Sequence, residues 1–248
     1  MLVLFTDFGP GGPYTGQMQA VLQREAPGVP VISLFEDIPA GQIQAAAYLL
    51  PAYVHEFAPG DVFVCVVDPG VGSSQREPVT LQADGRWYVA PDNGLLNVVA
   101  ARATQRQWWS IDWRPTQLSA SFHGRDLFAP VAAMLARGET PPGEPLAGGR
   151  CATGHWPEDL PEVVYIDPFG NAMTGLRANT VPRDAILQVT GTGRQLAFAR
   201  TFAAAGRGQA FWYKNANGLV EIAVNRGRAA DELGLAPGSE VEVVRSGG

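Results

Sequence analysis

The sequence predicts an α/β protein: an N-terminal domain built on a mostly parallel sheet flanked by helices, followed by a C-terminal all-β, barrel-like domain. Three observations predict this. Asp61 to Val67 is a near-unbroken apolar run with β-branched content, the pattern of a strand buried on both faces. Strand-like and helix-like segments alternate from residue 1 to 67, and a β-α-β-α-β order implies parallel strands with right-handed crossovers. Beyond residue 160 the pattern changes to short strands at close spacing. The domains are accordingly placed at 1–140 and 161–248, with a Gly- and Pro-rich linker at 141–160.

Each element has a local reason. Met1 to Phe5 is the first strand. Tyr14 to Glu25 places Met18, Val21 and Leu22 on one helical face, and Pro27-Gly28 stops it. Val29 to Phe35 is the second strand. Ile43 to Phe57 is a helix interrupted by Pro51, and Pro59-Gly60 turns into the third strand. Val79 to Ala83 and Trp87 to Ala90 flank Asp84-Gly85, a hairpin signal. Leu95 to Ala103 is helical, Trp108 to Ile111 is strand-like, and a helix opens near Ser121–Asp126 and runs to Arg137, with Asp126 as its cap. In the second domain the strands are Val163 to Ile166, Ala185 to Val189, Ala210 to Lys214, Leu219 to Val224 and Glu240 to Val244. Asn217-Gly218 joins two of them.

Bulk properties narrow the function. The chain has 248 residues, 46% hydrophobic and 17% charged, with a net charge of -6 and no long charged run, so neither nucleic acid nor an anionic membrane is an expected partner. No apolar run reaches spanning length, and no basic segment precedes an apolar one at the start, so a cytoplasmic protein is expected. Two cysteines, Cys65 and Cys151, make neither a disulfide framework nor a metal knuckle, and Cys65 reads as a small buried hydrophobe.

The candidate chemistry gathers on turns. Asp7 and Asp68 each follow a buried strand, the usual place for a functional carboxylate in an open α/β sheet. Asp68 opens Asp68-Pro69-Gly70-Val71-Gly72, where glycine permits turns and close approach of a ligand, and where a turn cap is the alternative reading. His123 lies in the dense polar turn Ser121-Phe122-His123-Gly124-Arg125-Asp126. His55 reads as structural and His155 as a solvated linker residue. Asp167 and Asn171 flank a turn after the first strand of the second domain. Arg125 reads as a surface ion-pairing group, Asp92 and Asn93 as turn formers that shape a site, and Trp108, Trp109 and Trp113 as packing or subunit-interface residues.

Metal-binding, phosphate-loop, dinucleotide and serine-hydrolase motifs are all missing, so neither a metal nor a separate cofactor is expected. Carboxylates, an imidazole, a guanidinium and amides suit a polar, neutral or cationic ligand with hydroxyls, such as a nucleoside. A carboxylate can accept both hydrogens of a ribose diol, and amides can read a purine edge.

Six segments in order carry a resemblance: Thr6-Asp7-Phe8-Gly9, Asp68-Pro69-Gly70-Val71-Gly72, Pro91-Asp92-Asn93-Gly94, Phe122-His123-Gly124-Arg125-Asp126, Asp167 with Phe169-Gly170-Asn171, and Ile222-Ala223-Val224-Asn225. Over nearly its whole length the chain resembles the S-adenosyl-L-methionine hydroxide adenosyltransferases, relatives of the S-adenosylmethionine-dependent fluorinase and chlorinase. The resemblance implies hydrolysis of S-adenosylmethionine to adenosine and L-methionine, with S-adenosylmethionine as substrate rather than cofactor. It also implies a homotrimer whose sites draw on the N-terminal domain of one subunit and the C-terminal domain of the next. Residue by residue it implies catalytic roles for Asp68, Arg76 and His123 and a ribose-diol role for Asp7. Asp167 and Asn171 would hold the methionine end, Met173 would take the place of an aromatic against adenine, and Asp92, Asn93, Phe169 and Asn225 would contribute to the substrate site. Ser73-Ser74-Gln75 place Arg76 one residue further from the loop than in many members. Two alternatives stand beside the hydrolase: a halogenase on the same fold, which the Asp68 carboxylate disfavours by repelling halide, and a non-catalytic sensor of adenosine or S-adenosylmethionine.

Overall fold

Leu2, Val3, Leu4 and Phe5 are fully buried, as are Val62, Phe63, Val64 and Cys65. Successive side chains on a strand face opposite ways, so these two runs need cover on both faces of a sheet. The computed structural model describes residues 1–73, 76–147 and 156–244, and the chain divides into two compact units, Met1–Trp156 and Pro157–Gly248. Cys151 and His155 lie outside the described residues.

In the first unit the elements are β1 (Leu2–Thr6), α1 (Tyr14–Glu25), β2 (Val31–Phe35), α2 (Ile43–Tyr53), β3 (Val62–Val66), β4 (Pro78–Ala83), β5 (Arg86–Pro91), α3 (Asn97–Arg102), β6 (Arg106–Ser110), α4 (Ala129–Ala136) and β7 (Pro145–Leu146). The strands form one sheet in the order β2-β1-β3-β5-β4-β6-β7. The first four of these are parallel, and β4, β6 and β7 extend the sheet by antiparallel pairing. Leu2, Leu4, Val62, Val64 and Val66 pack against α1 and α4. The alternate residues Val3, Phe5, Phe63 and Cys65 therefore face the opposite layer, where α2 packs on α3.

Several boundaries differ from the expectation for physical reasons. Pro51 lies inside α2, which ends within a turn of it and tightens into a 3₁₀ turn, Val54–Glu56, carrying His55. The helix after Ser121 opens as a π turn over Gly124–Phe128 before α4. Asp126 does not cap it; its Oδ2 accepts the Ser119 N–H at 2.9 Å. Asp84-Gly85 forms the expected hairpin with φ of 46° and 80°, the left-handed pair that a two-residue turn requires. Pro145–Leu146, inside the stretch read as linker, pair with Trp109 and Trp108 on the sheet edge.

The second unit holds β8 (Leu160–Ile166), β9 (Ala172–Arg177), β10 (Ile186–Val189), β11 (Arg194–Leu196), β12 (Ala210–Lys214), β13 (Leu219–Val224), α5 (Ala229–Leu233) and β14 (Val241–Val244). Its antiparallel sheets run β12-β13-β9-β8 and β11-β10-β14. They share one core, with Val163, Leu187, Trp212, Val220, Ile222 and Val241, and bridges at Glu162–Glu240 and Phe198–Trp212 join them into a barrel-like closure. β9 was not expected from the sequence because Gly175 interrupts it. A Cβ there would stand 2.6 Å from the Leu160 Cβ, so glycine lets β8 and β9 approach. The short helix α5 departs from an all-β reading and ends on Gly234 with φ 65°.

Candidate active site

β1, β3 and β5 are parallel neighbours, so the loops leaving their C-terminal ends emerge side by side. Those loops carry Asp7, Asp68, and Asp92 with Asn93. Asp7 Oδ2 accepts the Gly41 N–H at 2.9 Å, which ties the loop after β1 to the loop after β2. The position of a Gly41 Cβ lies 3.7 Å from Pro69 Cβ, so the loop after β2 rests on the Asp68–Gly72 turn. Asn93 Nδ2 donates to the Val67 carbonyl at 2.9 Å, and its Oδ1 accepts the Leu95 N–H at 3.2 Å. Asn93 thus spends its side chain holding the loop that presents Asp68, while Asp92 is buried beside it.

The second chain segment arrives from residues 119–126. Gly72 has φ 80°, and a Cβ on it would fall 2.4 Å from the Ala120 carbonyl oxygen. The two backbones therefore touch, and only glycine fits. Phe122 meets Phe8 and Tyr14 edge to face with ring centroids 5.7 and 5.4 Å apart, and Phe8 and Tyr14 are tilted against each other at 5.8 Å, joining the loop after β1 to the same segment. Arg125 pairs with Asp126, donates to Gln17 Oε1 at 3.0 Å and lies over the Phe122 ring, so it braces the turn as the expected ion-pairing group.

At the centre, Arg76 grips Asp68 with both arms of its guanidinium. Nε donates to Oδ1 at 2.6 Å and Nη2 donates to Oδ2. Their side chains are only 7% and 4% exposed, so this pair is shielded from water and screened little by salt. The extra residue before Arg76 leaves it within reach of Asp68. Burial lifts the Asp68 carboxyl above its usual range, against the pull of Arg76, the Gly70 N–H and His123. His123 is half-buried, and its pKa is lowered by burial first and by Arg76 second, with Asp68 opposing. The result is an imidazole that stays neutral at pH 7 near the Asp68 carboxyl clamped by Arg76. Burial also raises the Asp7 pKa, against hydrogen bonds from Gly41 and its own backbone.

In the second unit, Asp167 and Asn171 close the β8–β9 turn on each other. Asp167 Oδ1 accepts the Asn171 N–H at 2.8 Å and Oδ2 accepts the Asn171 Nδ2 at 2.9 Å. Phe169 stands out at the tip, 75% exposed. Met173 is buried in β9, opposite Glu221 on one side and Tyr165 on the other. Asn225 Nδ2 donates to the Ala205 carbonyl at 2.7 Å. The structure thus gathers Asp7, Asp68, Arg76, Asn93 and His123 in the first unit and Asp167, Phe169 and Asn171 on one turn of the second.

Two polar residues escaped the sequence reading. Glu221 is 2% exposed, held by the Tyr213 hydroxyl and by Asn215 Nδ2 at 2.8 Å. Burial raises its pKa, the two hydrogen bonds oppose this, and Asp167 adds to it. Its signal was one charge inside the apolar run Leu219–Val224. Arg228 donates to the Pro168 carbonyl at 2.9 Å, and its Cβ stands 2.8 Å from where a Gly170 Cβ would be, so it buttresses the Asp167–Asn171 turn.

Known proteins resemble this chain in sequence and in fold. Residues 2–144 match the family model of the SAM hydroxide adenosyltransferase N-terminal domain, and residues 161–242 match that of the C-terminal domain. The chain is 37% identical to an (R)-S-adenosyl-L-methionine hydrolase of Thermus thermophilus, over 96% of this chain and 97% of that protein. It is 38% identical to an (R)-S-adenosyl-L-methionine hydrolase of Salinispora arenicola, over 96% and 95% respectively. A crystal structure of an uncharacterized conserved protein from Thermotoga maritima superposes with a TM-score of 0.88 at 30% identity, covering 99% of this chain and all of that one. With both family models matched and its relatives aligned end to end, the chain belongs to the SAM hydroxide adenosyltransferase family.

Proposed function

We propose that the protein hydrolyses S-adenosyl-L-methionine to adenosine and L-methionine by in-line attack of water at the ribose C5'. The observation that carries this reading is the shielded two-armed Arg76–Asp68 pair beside the neutral imidazole of His123. In the reaction a water oxygen forms a bond to C5' as the C5'–sulfur bond breaks. The sulfur keeps the bonding pair and leaves as a neutral thioether, so no acid is needed on the leaving group. One proton is released overall. Water is the weak partner, and it must be oriented and relieved of a proton. Asp68 is held in place by Arg76 and accepts one water hydrogen. Neutral His123 accepts the other as the new bond forms. Asp7 binds the ribose diol, and Asp92 and Asn93 shape the loop that presents Asp68. Asp167 and Asn171 hold the methionine end, with Phe169, Met173 and Asn225 around the substrate.

The resemblance further supports a homotrimer in which each substrate is served by two subunits. A cytoplasmic location suits a reaction on a charged metabolite that does not cross membranes unaided. No helix among the described residues is long and apolar enough to cross a membrane.

The test is incubation of purified protein with S-adenosylmethionine in oxygen-18 water, with and without halide, followed by mass-resolved chromatography. Both sulfonium epimers belong in the test, because the named relatives carry the (R) form in their names. Adenosine labelled on its 5' oxygen is the expected product. A 5'-halo nucleoside, or bound but intact substrate, overturns the assignment in favour of a halogenase or a sensor.

A further inference from the structure

The C-terminal unit carries a second recess that the proposed reaction does not use. It has a volume of about 560 Å³, within the range of small-molecule sites. Arg183, Arg200 and Lys214 line it, together with Phe198 and Trp212, and among the described residues no carboxylate does. The backbone register brings these groups together. Phe198 bridges Trp212 in parallel, with the Trp212 N–H on the Ala197 carbonyl at 3.1 Å and the Ala199 N–H on the Trp212 carbonyl at 3.0 Å. Arg200 and Lys214 each lie two residues beyond this bridge and line the same recess. The Arg183 guanidinium lies 5.7 Å from the Phe198 ring centroid, and that ring lies 4.8 Å from the Trp212 ring. Trp212 Nε1 donates to the Ala185 carbonyl at 3.1 Å, which fixes the floor.

The charge pattern is unusual for this molecule. Arg76, Arg125, Arg137, Arg177 and Arg228 each pair with a carboxylate. None of the ion pairs among the described residues involves Arg183, Arg200 or Lys214. Lys214 is the only lysine in a chain of net charge -6. The three exposed cations share one recess with no ion-pair partner among the described residues, and an anion bound among them offsets their mutual repulsion. Two guanidinium forks and one ammonium match the oxygens of a phosphate chain better than a single carboxylate, because each fork engages two oxygens.

We propose that this recess binds an anion carrying two or more linked phosphates, either free or on a nucleotide. Its residues are ones that the hydrolytic chemistry leaves idle.

The lone lysine supplies the probe. Reductive methylation with carbon-13 formaldehyde labels Lys214 and the N-terminal amine while keeping their charge. The full chain is titrated with tripolyphosphate, ATP and adenosine at constant ionic strength. The expected result is a saturable shift of the Lys214 methyl signal with tripolyphosphate and ATP, none with adenosine, and an unmoved N-terminal signal. Equal affinity for both phosphate compounds identifies the phosphate chain as the recognised element; tighter ATP binding identifies the nucleotide. R183S combined with R200S is expected to weaken binding by at least about tenfold, the size of one lost charge-assisted anchor, with unchanged turnover of S-adenosylmethionine and an unchanged melting temperature. A shift that sodium chloride alone reproduces, a shift that never saturates, or full affinity in the double variant overturns the proposal. Because turnover is read separately, failure here is distinguishable from failure of the hydrolase assignment.

Discussion

His123 has Arg76, Arg114, Asp68 and Asp126 acting on it, and burial with the two arginines outweighs the two carboxylates. The imidazole therefore takes up a proton only below its ordinary 6.5. Activity is expected to be level around neutral pH and to fall on the acid side, as His123 and Asp68 are protonated. A pH profile of kcat/KM checks this, and a midpoint above 6.5 contradicts it. His123→Ala is expected to lower turnover sharply while substrate affinity, read by calorimetry, stays close to that of the parent protein. The His123 contribution to stability follows the same sign: it is lost as pH falls below 6.5, because the unfolded chain binds a proton that the folded one resists, whereas the raised carboxyls of Asp7, Asp68 and Glu221 contribute in the opposite direction at lower pH. Asp7, Asp68 and His123 were legible in the sequence because each sits in a dense turn at the end of an element. The two-armed grip of Arg76 on Asp68 was not, since spacing along a loop does not report which way a side chain reaches. Asn93 was readable as a turn former, but its partners, the Val67 carbonyl and the Leu95 N–H, were not.

At the level of elements, the contact between the Asp68–Gly72 loop and the 119–126 segment governs the site. Gly72→Ala meets two obstacles, a φ of 80° and the Ala120 oxygen 2.4 Å away. The strain alone is worth about 1–3 kcal/mol. The clash must also move Asp68 relative to His123, and a displacement of about 1 Å at such a site lowers turnover by roughly 100-fold. Gly60→Ala is the control, because its φ is 91° with nothing within 4 Å. It should lose comparable stability in a thermal melt and keep its activity. Apart from the two-residue β7 in the stretch read as linker, the strands and helices of the first unit were readable because their apolar periodicity is strong. β9 was not, because Gly175 serves a close approach rather than a propensity, and α5 was too short to show a period.

For the whole molecule, the proposed trimer makes a prediction that one chain alone cannot satisfy. Asp68→Asn disables a residue of the first unit and Asn171→Ala one of the second. Each variant is expected to be inactive by itself. If substrates are served by two subunits, co-assembled mixtures regain activity, since random mixing leaves about a quarter of the sites free of both lesions. An assay of co-expressed variants that stays at background assigns each site to a single chain. The two-domain plan was visible in the change of pattern near residue 160. The proposed assembly rests on the resemblance, because subunit surfaces are not described by periodicity.

The touching loops also bear on recombination with relatives. Gly41 rests on Pro69, Phe8 packs on Phe122, and the Gly72 backbone abuts Ala120. A crossover between residues 73 and 119 takes the two sides of that last contact from different parents, whereas one at 156–157 leaves the three contacts with one parent. Chimeras that exchange whole units are therefore expected to preserve the Asp68, Arg76 and His123 constellation, while those that split the first unit inherit its residues without their spacing.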